Sequence, residues 1–144
     1  LRKEFPDTFI QALNFDIIYN YEHLCEILRI SNLAKRRNIM CSHKIELDFL
    51  LRVMGTNQIS QAIKEGGVTI DQYITFVVLA NKYQINKIYQ KLVFLFGNSH
   101  DEIFTDKINL RKKIELYKTK YNNDFFDEEN TIKFLTETAA LVMK

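Results

Sequence analysis

Residues 45–67 read IELDFLLRVMGTNQISQAIKEGG, and this stretch decides the fold. Ile45, Phe49, Leu50 and Val53 recur at helical spacing, as do Ile59, Ala62 and Ile63 beyond Gly55. Gly55 suits the left-handed residue that closes a helix, and the pair Gly66-Gly67 closes the next. Two short helices joined at Gly55 are therefore expected. Beside the join stand Arg52, Thr56, Asn57 and Gln58, polar groups next to an apolar seam. A helix start with exposed backbone N–H groups and a nearby arginine can hold a phosphate, although most such corners are only corners.

Upstream, Thr8–Tyr19 has strand-like content, either one bent strand or two short ones. Asn20 is a good cap for a helix over Tyr21–Arg37, striped by Leu24, Ile27, Leu28 and Ala34. Its closing Lys35, Arg36 and Arg37 suit a helix C-terminus electrostatically and also form a patch able to contact phosphate. Ser42 is the expected cap of the first central helix. Downstream, Tyr73–Ala80 reads as an interior strand, β-branched and aromatic on both faces. A helix follows from Asn81 or Lys82 to Phe96, with Ile85, Ile88, Tyr89, Leu92 and Phe96 inward and Gly97 as its stop. Ile103-Phe104 reads as a short edge strand. Asp106 caps a helix over Lys107–Tyr121 whose Arg111, Lys112, Lys113, Lys118 and Lys120 are expected in solvent. Asp127 opens a final helix, Glu128–Lys144. Strands are few and do not alternate with helices, so the class is α+β: one compact domain over residues 1–144, several helices on a small, mostly antiparallel sheet.

Composition narrows the function. The chain has 144 residues, 47% of them hydrophobic and 26% charged, as in an ordinary folded domain. Lys and Arg total 20 against 18 Asp and Glu, so any basic site is a local patch. Two distant cysteines and no leader or membrane-length apolar run suggest a reducing cytoplasmic setting, and the nucleus as well in a eukaryote. The opening on Leu1 suggests trimming. No glycine-rich phosphate loop is present, and no serine sits in a nucleophile elbow. The acidic run Asp124–Glu129 reads as a helix cap rather than paired catalytic carboxylates. His23-x-Cys25 and Cys41-x-His43 imitate metal dyads, but residues two apart on a helix point about 200° from each other. A core thiol and an exposed imidazole are the default there. No catalytic, metal or cofactor site is visible, so binding is the better direction. Lys35, Arg36, Arg37, Arg52, Asn57 and Gln58 form the nucleic-acid candidates, guanidinium and amide groups that grip phosphates and read base edges. An ion pair of Arg52 with Asp48 along the helix is the competing reading. In the last helix Ile132, Leu135, Ala139 and Val142 make one apolar row, and Phe134, Thr138, Leu141 and Met143 another. A helix apolar on two sides is either deeply buried or meets a partner.

The run Asp48-x-x-x-Arg52-x-x-Gly55-x-x-Gln58-Ile59-x-x-Ala62-Ile63-x-x-x-Gly67 resembles the signature of the kinase-binding subunit of the KEOPS complex, the TPRKB-like family. The basic stretch before it, the strand after it and the apolar C-terminal helix extend the likeness over most of the chain. The resemblance implies a non-catalytic protein, with no small-molecule substrate of its own, that binds a small atypical kinase/ATPase. It also implies capture of tRNA, including its single-stranded 3′ CCA end, for threonylcarbamoyl-adenosine formation. Carried over, Lys35–Arg37, Arg52, Asn57 and Gln58 are the RNA candidates. Ile132, Leu135, Leu141 and Val142 are the kinase-facing ones. Two departures stand out: the N-terminus is short, where relatives carry an extra strand, and Thr56 and Asn57 fall in variable slots of the pattern. A helix-turn-helix DNA-binding regulator using residues 45–66 is the alternative, although Leu51 and Gln61 suit its tight crossing poorly.

Overall fold

Helix α2, Ile45–Met54, runs through the middle of the protein, with every residue from Asp48 to Met54 buried. A computed structural model of the chain describes residues 1–100 and 105–143. Around α2 lie strand β1 (Phe9–Asn14), a 3-10 turn (Phe15–Ile17), helix α1 (Tyr21–Arg36), helix α3 (Ile59–Gly66) and strand β2 (Ile74–Leu79). Helices α4 (Lys82–Phe96), α5 (Lys107–Tyr121) and α6 (Asn130–Leu141) follow. The class is α+β. Among the described residues the sheet has two antiparallel strands, with Phe9 opposite Leu79 and Asn14 opposite Ile74. None of the described helices is long and apolar enough to cross a membrane.

Local chemistry explains the helix boundaries. Asn20, Asn81 and Asp106 each accept a backbone N–H from the first turn of their helix, as N-caps do. Gly55 closes α2 at φ 63°, and the N–H of Thr56 returns to Leu51 O. A side chain at Gly55 would also bring Cβ to 2.7 Å from the Thr138 methyl of α6, so both conformation and space require glycine. Gly66 is needed for contact alone: a Cβ there would lie 2.8 Å from Leu50 and 2.9 Å from the Met54 sulfur.

Two apolar clusters make the core. The larger joins Phe9 and Leu13 of β1, Ile27 of α1, Phe49 through Met54 of α2 apart from Arg52, Ala62, Val77, and Ala139 and Val142 from the end of the chain's last helix. The smaller is aromatic: Tyr19, Tyr117 and Phe126 with Ile114 and Leu135, and Tyr121 and Phe134 packed against them. Phe126 meets Phe134 edge-on at 4.8 Å between ring centres, a favoured aromatic geometry. Helix α6 contributes to both clusters and so binds them together.

Several expectations are corrected. β2 is not an interior strand; Ile74, Phe76 and Val78 are only half-buried, because the described sheet is two strands wide. Ser42 does not cap α2: Lys44 holds the N-cap position, and Ser42 Oγ accepts from Lys44 N one turn too early. The last helix is Asn130–Leu141, shorter at both ends than expected; Asp127 stands before it as a cap, its carboxylate accepting the N–H groups of Glu129 and Asn130 and its carbonyl that of Thr131. Of the apolar residues expected inward on α4, Ile88 alone is buried. The expected edge strand at Ile103-Phe104 lies outside the described residues.

Lys113 is not in solvent. Its ammonium lies over the Phe15 ring and donates to the carbonyls of Phe15 and Ile18, while Tyr117 Oη donates to Ile17 O. Burial lowers the Lys113 pKa to about 8. From the other side His23 Nδ1 accepts the Tyr19 N–H at 3.1 Å. His23 and Cys25 thus reverse the default, the imidazole wholly buried and the thiol exposed. The buried face of α1 is His23, Ile27, Ser31 and Ala34, which leaves Cys25 outside.

Burial, and then the charge of Lys113, lower the His23 pKa from 6.5 to about 4. Between those values the unfolded chain binds a proton that the folded chain does not. Stability should therefore fall as pH falls through that window, by about 3 kcal/mol in all, and level off below it. Urea melts across the range check this. In His23→Gln, which keeps an acceptor for Tyr19 but cannot titrate, the slope should flatten; an unchanged slope assigns it to other groups.

Candidate functional site

Arg52 and Asp48 face each other one turn apart inside the core. The Arg52 Nε lies 2.9 Å from Asp48 Oδ2, and the two side chains are 3% and 0% exposed. The other guanidinium donors are also used. One nitrogen reaches Ala139 O at 2.9 Å and Val142 O at 3.3 Å, and the other lies 3.7 Å from Cys41 Sγ. The second carboxylate oxygen of Asp48 accepts the Cys41 N–H at 2.7 Å. The cation therefore satisfies carbonyls at the C-terminus of α6, where the helix dipole favours positive charge. This corrects the RNA role expected of Arg52: its donors are committed inside the protein and do not reach a phosphate. The i,i+4 pairing with Asp48 was the alternative open in the sequence, and the geometry adopts it.

The remaining nucleic-acid candidates are at the surface. Lys35, Arg36 and Arg37 are exposed at the end of α1, where Asn38 turns the chain at φ 55°. Asn57 and Gln58 are exposed between α2 and α3. Gln58 occupies the N-cap position of α3 without a side-chain cap bond, and its own N–H goes to Thr56 Oγ1.

The four partner candidates separate by burial. Leu135 and Val142 are core residues, the first in the aromatic cluster and the second beside α2. That corrects their assignment to a partner-facing surface, since their apolar area is spent on holding α6 in place. Ile132 is half-buried against the aromatic cluster. Leu141 is 76% exposed, and Met143 stands exposed just beyond it. These two, with Val142 and Thr138, line one wall of an open groove of about 530 Å³ whose other wall is Gly55, Thr56 and Asn57. The structure thus brings Asn57 and Leu141, drawn from the two candidate sets, onto one groove. Lys35–Arg37 lie outside its lining. The polar rim of Thr56 and Asn57 and the apolar end of α6 give the groove one side for hydrogen bonding and one for burial.

Thr138 and Cys41 acquire roles that their sequence positions did not announce. Thr138 fills the space left by the missing side chain of Gly55, and Cys41 Sγ donates to Val142 O at 3.3 Å. Each joins segments far apart in the chain, and no local periodicity reports such a contact. Compared with known proteins, the chain matches no family model and no curated protein.

Removing the guanidinium should leave a buried carboxylate without its cation and take a donor from the carbonyls of Ala139 and Val142, the second of which keeps the Cys41 thiol. Arg52→Ala is expected to lose about 3–5 kcal/mol of stability. Chemical denaturation measures this, and a loss below about 1 kcal/mol would contradict the internal role.

Proposed function

We propose that this protein is a non-catalytic subunit of a KEOPS complex, binding the complex's small atypical kinase/ATPase and capturing tRNA by its 3′ CCA end for threonylcarbamoyl-adenosine formation. The observation that carries the reading is the spaced run from Asp48 to Gly67 and its resemblance to the kinase-binding subunit of that complex. Five of the eight named slots have physical reasons to be what they are, while Ile59 and Ile63 stand exposed. Asp48 and Arg52 pair inside the core, Gly55 turns left-handed against α6, Ala62 is fully buried, and Gly67 caps α3. Those slots build the corner, and the groove beside it offers the binding groups. A cytoplasmic setting, with the nucleus added in a eukaryote, belongs to the same reading.

In this reading Lys35, Arg36 and Arg37 hold tRNA phosphates, with Asn57 and Gln58 presenting amides to unpaired base edges. The kinase meets the exposed end of α6 at Leu141 and Met143. The DNA-binding alternative finds less support. α3, which would enter a groove of the duplex, carries Lys64 as its sole cation, next to Glu65. A recognition helix with so little positive charge has weak hold on a phosphate backbone.

Labelled tRNA, intact or lacking its 3′ CCA, should be compared with duplex DNA of equal length at fixed salt. The proposed function expects a preference for intact tRNA; equal or better binding to the duplex sinks it. Reversing all three charges at Lys35, Arg36 and Arg37 should weaken tRNA binding and flatten its salt dependence by about two in the log–log slope. Separately, Leu141→Glu should abolish co-purification with the kinase while leaving the fold intact, since this side chain is already in water. A folded Leu141→Glu protein that still retains the kinase would remove Leu141 from the interface.

A further inference from the structure

Helix α4 leaves most of its large apolar residues exposed. Ile88 is its one buried residue, while Tyr83 is 71% and Phe94 87% exposed. Its fifteen residues hold three lysines (Lys82, Lys87 and Lys91) and no carboxylate, although the chain as a whole is nearly balanced at 20 to 18. Tyr83, Lys87, Gln90 and Phe94 are spaced four, three and four apart, so they share one side of the helix. The two rings are eleven residues apart, about 16 Å along the axis. That is roughly the length of five stacked nucleotides. Between them the Lys87 ammonium lies 4.2 Å from the centre of the Tyr83 ring, so cation and ring face the solvent together.

Two physical facts select the occupant. Large rings left in water gain by stacking on another flat apolar surface, and unpaired bases offer one at every step. Lys91 is paired with Glu4 of the N-terminal segment, but Lys87, with no acidic neighbour along the helix, favours an anion, whereas protein–protein interfaces are depleted in lysine. We propose that the outer side of α4 is a platform for an unpaired nucleic-acid strand. Bases stack on Tyr83 and Phe94, Lys87 meets a phosphate, and Gln90 offers an amide to a base edge between the rings. This goes beyond the tRNA reading and does not depend on it, because stacking tolerates any sequence and uses no residue of the groove near Gly55.

The test is fluorescence anisotropy of the intact protein with a short labelled oligouridylate, which has no CCA end. Tyr83→Ala/Phe94→Ala should weaken binding about tenfold or more. Tyr83→Phe/Phe94→Tyr keeps both rings and should bind as the parent does. Because both rings are already in solvent, circular dichroism should show each variant folded. Binding should also weaken as salt rises. Parent protein that does not bind oligouridylate, or an alanine double variant that binds it unchanged, overturns the platform. The charge-reversed Lys35–Arg37 variant, measured in parallel with tRNA, separates the two ideas. If that variant loses tRNA while the α4 variants keep oligouridylate, the platform falls and the tRNA reading stands. The opposite pattern retains the platform and removes the basic triplet.

Discussion

A charged pair inside a dry helix is the constraint on which the rest of the structure depends. α2 is buried along most of its length, so Arg52 and Asp48 have no water to turn to. Burying one of these ions alone would cost several kcal/mol. The pair is tolerable because its remaining hydrogen-bonding capacity is also met: Cys41 N–H for the carboxylate, Ala139 O and Val142 O for the guanidinium. The same bonds position the segment before α2 and the end of α6. Leu141 and Met143 can line a groove because Val142 between them is held inward.

A second tie works on the opposite side. The stretch from Phe15 to Tyr19 leaves the sheet and has few ladder partners of its own. Its carbonyls receive Lys113 and the Tyr117 hydroxyl from α5, and its last N–H goes to His23 of α1. Irregular backbone can be buried here because side chains satisfy it.

Much of this architecture was legible in the sequence because it is local. The caps at Asn20, Asn81 and Asp106, the left-handed Gly55 and the stripe of α1 all act over three or four residues. Two of the failures have the opposite property. Arg52 looked like a surface ligand because its carbonyl acceptors, unlike Asp48, lie 87 and 90 residues away. Lys113 looked solvated because its carbonyls are 95 and 98 residues away. His23 and Cys25 were exchanged for another reason: residue preference put the thiol inside, while the stripe through Ile27, Ser31 and Ala34 has the phase of His23. In the candidate site, Asn57, Gln58 and Lys35–Arg37 were correctly read as accessible polar groups. Leu135 and Val142 were not separable from Leu141, because an apolar helix does not say by itself which row it buries.

The long reach of Arg52 also imposes an order on folding. The contacts of α1 with α2 and of the α2–α3 corner are nearby in sequence and can form early, whereas β1 and β2 pair residues 60 to 70 positions apart. The guanidinium cannot lose its water profitably until Ala139 and Val142 arrive, since before then it would be a half-satisfied ion in an apolar setting. Closing that contact confines a loop of almost ninety residues, and its entropy is lost in one late step. An incomplete chain would therefore keep α2 hydrated and its apolar seam loose, and docking of α6 is the event that turns a collapsed chain into a dry one.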